Sequence, residues 1–532
     1  MGDCGPAAPR RGRARFTFLR SQGSTTVNRR DRGSNGSAFG SSDRAPCRGG
    51  QNDRRETVTA PTPLDSGDTA AAPPEPGKVR LLLLALLPGL AALGAYATID
   101  LSPATFPNLY RLVVVLAVVP AFMLLVRPRT ATAVVPRLFM WLAVTWAVWL
   151  PVSLFWTVDA DIGLRKIGSI SYAFAAGLCV LAFSGGSRTG VATLRLGWTV
   201  AFLVTGAIAV WELQSGRHLS EGAALGPDTT LIASTFYNPN NYAGFLLTCL
   251  PFLVWGGIVA RSTLIRVLHA GLVVFWIVLI VATQSRTGFL GALVIGPVAV
   301  WWFGRAASLR QRPVAVPVLV LGLAAWIGLS LAAASEPGQR VLGQFTSPFE
   351  ENDSLRASDQ MRVNLTLLGW RLFVSSGLLG RGAGSFELLA GQWQEVDLGG
   401  TTMAHNSFAE IAAEFGLPVL LPLFAVIVVL AHVTLRRKAA AAHRAEAFDL
   451  RMATGLGLAG FAASGLAASS ILASPWWWLL LGQASAQAWL LYRMCPPRGE
   501  RPTGQGPAGS PWVRVDDQVA GPRPLLVGAR RS

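Results

Sequence analysis

Apolar and polar positions fall in long blocks along this 532-residue chain. About twelve runs of roughly 18 to 22 apolar residues recur, each long enough to cross a hydrocarbon core of about 30 Å as a helix. They lie at approximately 79–98, 109–126, 138–156, 167–184, 194–213, 241–260, 267–283, 287–304, 313–334, 416–435, 450–471 and 475–492. The two-residue alternation that a membrane barrel requires is absent, so helices must satisfy the backbone in lipid. The pattern predicts an all-α integral membrane protein with about twelve transmembrane helices and a large helical extracytoplasmic loop, 335–415, between spans nine and ten.

Composition agrees. Hydrophobic residues make up 51% of the chain and charged residues 14%, with a mean hydropathy of +0.42, which excludes an ordinary soluble domain of this length. The formal charge of +17 refines the topology. With residue 1 in the cytoplasm, the inner loops collect Arg127, Arg129, Arg137, Arg188, Arg195, Arg261, Arg266, Arg305, Arg310, Arg312 and the Arg436–Lys438 run. The short outer loops hold only Arg165, Lys166, Arg217 and Arg286, so the positive-inside rule puts both termini in the cytoplasm of a multi-pass cell-membrane protein. Residues 1–77 and 494–532 are rich in Arg, Gly, Ser and Pro without apolar periodicity; both are expected to be disordered cytoplasmic tails around a membrane domain spanning 78–493. The Arg-rich "PRRGRARF" is expected to lie near anionic lipid rather than on nucleic acid. No cleavable signal peptide is expected, because the first apolar run begins near residue 79. Cys4, Cys47 and Cys495 belong to or adjoin the tails, and Cys179 and Cys249 lie in spans, which leaves neither a disulfide framework nor zinc-ligand spacing.

A connection of about 80 residues between packed helices is far longer than usual and marks function. Within it, Asp359 to Ser376 reads as a helix of mixed face, followed by a glycine-punctuated "GLLGRGAGSFELLA". No strand precedes Gly380, Gly382 and Gly384, so they are not a nucleotide fingerprint; they are expected to turn the chain beside lipid headgroups. Next comes "MAHNSFAEIAAEFGLP", Met403–Pro418. Ser407 and Glu410 have capping-box spacing, and Phe408, Ile411, Ala412 and Phe415 form an apolar stripe, with Gly416 as a stop. His405 then stands just ahead of a helix N-terminus, which favours anions and disfavours an imidazolium. A neutral imidazole there is suited to accept a proton from a hydroxyl. Considered alone, His405 reads as a polar surface residue at a membrane-proximal turn. The other four histidines, His218, His269, His432 and His443, have no partner motif.

Three arginines accompany it. Arg286, in "TQSRTG", sits at the outer end of a span against the positive-inside trend. Arg362 and Arg371 are nine residues apart on the predicted loop helix, on opposite faces, so at most one points into a given site. Arginine is the side chain for bidentate phosphate recognition.

Four segments together resemble the O-antigen ligase and O-antigen polymerase superfamily of envelope glycan assembly. They are "STFYNPNNYAGFLL", "SRTG", "RVNLTLLGWRLFVSSGLLGRGAGSF" and "AHNSFAEIAAEFGLPVL". Ser234 stands where glycine is commoner, Leu367 or Leu368 about where tryptophan is usual, and Ala409 near the usual leucine. The similarity covers roughly residues 80–492. It implies an inverting, metal-independent glycosyltransferase, without cofactor, that moves a glycan from undecaprenyl diphosphate to a hydroxyl of a glycan, lipid or protein acceptor at the outer leaflet. It carries the catalytic role to His405 and diphosphate binding to Arg286 and Arg362. Asn406 is suited to orient His405, bind sugar or cap the helix; Asn238, Asn240 and Asn241 are suited to cap a span or touch glycan, and Arg371 is a further candidate contact.

The alternative function is a transporter or flippase of lipid-linked glycans, which would set charges near the midplane of its spans. Span interiors here hold few acidic residues, with Glu212 and Asp449 close to span ends. A metal-dependent mechanism would need outward carboxylates. Asp159 and Asp161, and Glu350, Glu351 and Asp353, have no histidine neighbours and read as solvated loop residues.

Overall fold

The protein is described by a computed structural model covering residues 75–94, 109–127, 133–219, 231–236, 238–310, 339, 353–393, 402–436, 443–467 and 471–494. These residues form helices and their connections, with no strand among them. In chain order the helices are α1 (Lys78–Leu93), α2 (Leu109–Leu125), α3 (Val134–Val152), α4 (Ala160–Ser184), α5 (Arg188–Ser215), α6 (Pro239–Val259) and α7 (Thr263–Ala282). Then follow α8 (Arg286–Leu309), α9 (Asp353–Ser375), α10 (Ser385–Gln392), α11 (Ser407–Arg436), α12 (Arg444–Ala467) and α13 (Pro475–Met494).

All of these except α9 and α10 overlap a predicted apolar run; the run at 313–334 lies outside the described residues, as do the tails apart from residues 75–77 and 494. Among the described residues, seven helices are long and apolar enough to cross a membrane: α3 with the short 3₁₀ turn after it, α4, α5, α6, α7, α8 and α11. The outer surface confirms the solvent they face. Leu116, Trp141, Val148, Leu293, Val294 and Val428 are exposed, a distribution that lipid accommodates and water does not. Prolines inside α1, α2, α6 and α8 fit the same setting, where neighbouring helices re-satisfy the freed backbone groups.

Two helices form the interior. α6 is buried along almost its whole length, and α13 is buried from Trp476 to Leu491. α4 packs on α13 with the backbones nearly touching: a methyl group at Gly177 would lie 2.5 Å from the Trp478 carbonyl oxygen, and one at Gly482 would strike the Gly177 carbonyl. Such small-residue contacts replace the hydrophobic drive that lipid removes. Indoles fill the rest. Trp146 stacks on Phe174, Trp478 meets both edge-on, and the Trp477 ring lies 4.1 Å from that of Phe461 and parallel to it.

α11 is broken at Gly416, whose φ of 67° and ψ of −161° are not helical. A side chain there would collide with the backbone of Leu378 and Leu379, so the position requires glycine on both counts. The break leaves carbonyls at the end of the 407–415 segment without helical donors. Other parts of the protein supply them: Arg381 N–H donates to Ala413, Gly382 N–H to Glu414, and the Trp149 indole to Phe415, at 2.7, 2.9 and 2.8 Å. The glycine-rich turn at 380–384 packs on protein, against Glu414, Thr157 and Ile162. Its glycines let two backbones meet.

Candidate functional site

The short first part of α11 begins at Ser407, with Asn406 as its cap. Asn406 Oδ1 accepts from the Phe408 and Ala409 N–H groups, each at 3.1 Å. The expected capping box between Ser407 and Glu410 does not form. Ser407 Oγ is buried without a hydrogen-bond partner among the described residues, and Glu410 turns instead to Lys166 of α4, with Nζ to Oε1 at 2.5 Å. Local spacing favoured the box; a fully buried carboxylate needs a cation more than a backbone N–H. Lys166 also reaches Glu387 of α10 at 3.4 Å. Glu414, one turn after Glu410 and equally buried, accepts from Phe386 N–H. Three elements, α4, α10 and α11, thus close around one lysine.

His405 lies two residues before α11. It shares a cavity of about 260 Å³ with Thr287, Arg362, Val363, Thr366, Leu367 and Leu466. Arg362 and Thr366 are one helical turn apart on α9, which aligns both with the cavity. Burial, with the Arg362 guanidinium adding to it, pushes the His405 imidazole down to about 4. The ring is therefore neutral at ordinary pH. The cause is desolvation and a facing cation, in addition to whatever the neighbouring helix end contributes.

The other candidates separate. Arg371 is on the far face of α9, with its guanidinium 5.3 Å from the Trp393 ring centre. Arg286 is the first residue of α8, between the cap Ser285 and the cavity-lining Thr287. Ser285 Oγ donates to Asn240 Oδ1 at 2.7 Å, tying the start of α8 to the start of α6. Asn238 caps α6 by accepting from Asn241 N–H at 2.9 Å, and Asn241 lines a second cavity of about 550 Å³. Asp159 is not simply a solvated loop residue, because its carboxylate caps α4 by accepting from Ile162 N–H. Among the described residues no group of three or more His, Cys, Asp or Glu could hold a metal ion. Two histidines that lacked a partner motif have partners in space: His218 Nδ1 is 3.2 Å from Glu212 Oε1, and His443 lies 3.5 Å from Arg188.

Lys166, Glu387, Glu410 and Glu414 were missed by sequence reasoning. A signal existed: Glu410 and Glu414 are spaced i, i+4 on an otherwise apolar segment next to a span, a costly arrangement unless both face a partner. The partner stands 244 residues away in the chain, where no local pattern reaches.

The fold and site define a multi-pass, all-α membrane protein in which a neutral histidine, just ahead of a helix N-terminus, shares a cavity with an arginine. Residues 271–424, which include Arg286, Arg362 and His405, match the family described as O-Antigen ligase. The teichuronic acid biosynthesis protein TuaE of Bacillus subtilis (strain 168) is 24% identical over 289 residues, 52% of this chain and 56% of that protein. The match spans little more than half of the relative's length. Both findings support the resemblance to the O-antigen ligase and polymerase superfamily.

The lysine cluster yields a stability prediction. Lys166→Met leaves the buried Glu410 carboxylate without its cation, which typically costs about 3–5 kcal/mol. Lys166→Met with Glu410→Gln should recover most of that loss. Thermal unfolding of detergent-purified proteins checks it, and an unchanged midpoint for Lys166→Met alone would refute the pairing.

Proposed function

We propose that this protein is an inverting, metal-independent glycosyltransferase of cell-envelope or exopolysaccharide biosynthesis. It moves a glycan from undecaprenyl diphosphate to an acceptor hydroxyl at the outer leaflet. The observation that carries this is the His405 cavity, where a base held neutral by burial faces a fixed cation. The family match across that segment supports it, as does a relative whose name places it in teichuronic acid biosynthesis.

In this mechanism His405 removes the proton from the acceptor hydroxyl. The hydroxyl oxygen bonds to the anomeric carbon as the bond from that carbon to the diphosphate oxygen breaks. The electron pair leaves with undecaprenyl diphosphate, and attack from the opposite side inverts the anomeric centre. Arg362 in the cavity wall, and Arg286 beside it in sequence to Thr287, stabilise the charge that gathers on the leaving diphosphate. Asn406, committed to capping, holds the turn that presents His405. A flippase would move the same carrier without breaking this bond, so covalent transfer by purified protein separates the two functions.

His405→Ala should lower transfer by roughly 100-fold or more in a reconstituted assay, the scale of one general base, with insertion and donor binding near normal. In the wild type, kcat/KM should be flat from about pH 6 to 8 and fall only as pH drops through about 4, where the base takes up a proton. Near wild-type turnover of His405→Ala, or an acid limb near 6.5, would overturn the assignment. The assay is run in EDTA; activity that appears only on adding Mg²⁺ would remove the metal-independent part.

The outer-leaflet assignment rests on loop charge and carries its own check. A cysteine in place of Glu395 should react with an impermeant maleimide added outside intact cells, and reaction only from the cytoplasmic side would reverse the orientation.

A further inference from the structure

The second cavity, about 550 Å³, and the His405 cavity are lined by residues of one chain segment. Met403 lines it, Ala404 is buried, and His405 lines the smaller cavity. Residues 403 and 405 are at most about 7 Å apart along the backbone. The start of α6 repeats this arrangement: Asn241 faces the larger cavity, while Asn240 binds Ser285, two residues before the Thr287 of the smaller one. One stretch of chain thus lines both cavities and a second runs near both, as suits a transferase with two substrates.

The linings differ in charge. The smaller cavity holds Arg362 with no carboxylate among the described residues of its wall. The larger has Arg165 and Lys166, but Glu387 is in the same wall and Glu410 lies directly behind Lys166 at 2.5 Å, so its charges cancel. A diphosphate belongs in the first and gains nothing in the second. The rest of the larger wall includes Asn241, Ser169, Ser474, Phe236 and Trp476 among small and apolar residues. The Trp476 indole N–H is buried there without a hydrogen-bond partner among the described residues. Flat apolar rings beside scattered neutral donors and acceptors complement a sugar, whose ring has a face of C–H groups and a rim of hydroxyls.

We propose that the larger cavity binds the acceptor saccharide and directs its hydroxyl past Met403 toward His405. This rests on the transferase function proposed above. Asn241 and Ser169 then set acceptor affinity, with no part in holding the donor diphosphate.

The test uses full-length protein in detergent and, as probe, the oligosaccharide released by mild acid from the lipid-linked glycan of the source strain. Ser169→Phe fills the cavity; Asn241→Ala removes a polar contact and cannot clash. The wild type and His405→Ala should bind the probe equally, both variants about tenfold or more weakly, and the KM for lipid-linked donor should stay within about twofold. Absence of probe binding to the wild type, equal binding by all four proteins, or a raised donor KM with unchanged probe affinity would overturn the proposal. If the wild type binds the probe with this mutational pattern yet transfers nothing, the cavity assignment stands and the transferase function falls.

Discussion

Backbone polar groups within a bilayer must find partners inside the protein, and the break in α11 at Gly416 is where this constraint is hardest to meet. The carbonyls freed there are covered by the 380–384 turn and by Trp149, which draws α9, α10 and α3 to one place. The 407–415 segment can then stand at its own angle from the spanning part of α11. His405 stands two residues before the start of that segment, where it shares a cavity with Arg362.

Lys166 secures the same segment from the other side. It crosses from α4 to the first turn of α11 and touches α10, so the helix that presents Asn406 and His405 is fixed by an ion pair whose Glu410 carboxylate is fully buried. Buried pairs seldom add much stability relative to an apolar alternative, but they specify one arrangement over others. Here the arrangement specified is the orientation of one short helix between two cavities, one with a net positive wall and one balanced.

Much of the fold was legible because lipid imposes long apolar runs, and α2, α6 and α7 lie almost where those runs do. α9 was also visible, although it begins at Asp353, six residues before the expected start. Its two faces follow directly from helical spacing: Arg362 lies in the His405 cavity and Arg371 over Trp393. What escaped was set by contacts remote in sequence. Glu410 looked like a capping residue because Ser407 stands three positions before it; only the fold shows that Lys166 competes for it. Gly380 read as part of a tight turn; what the sequence did not show is that its φ of 83° serves a close approach to the Glu414 backbone. His218 looked unaccompanied until the end of α5 brought Glu212 beside it.

The most direct test of the account is an experimental structure of the full chain with a lipid diphosphate bound. The account predicts the diphosphate in the cavity lined by Arg362, Thr287 and His405, with guanidinium nitrogens within hydrogen-bonding distance, about 3 Å, of its oxygens. It also predicts the first sugar's anomeric carbon on the His405 side. A diphosphate held instead at the opposite end of the helices, near Arg188 or Arg310, would contradict it.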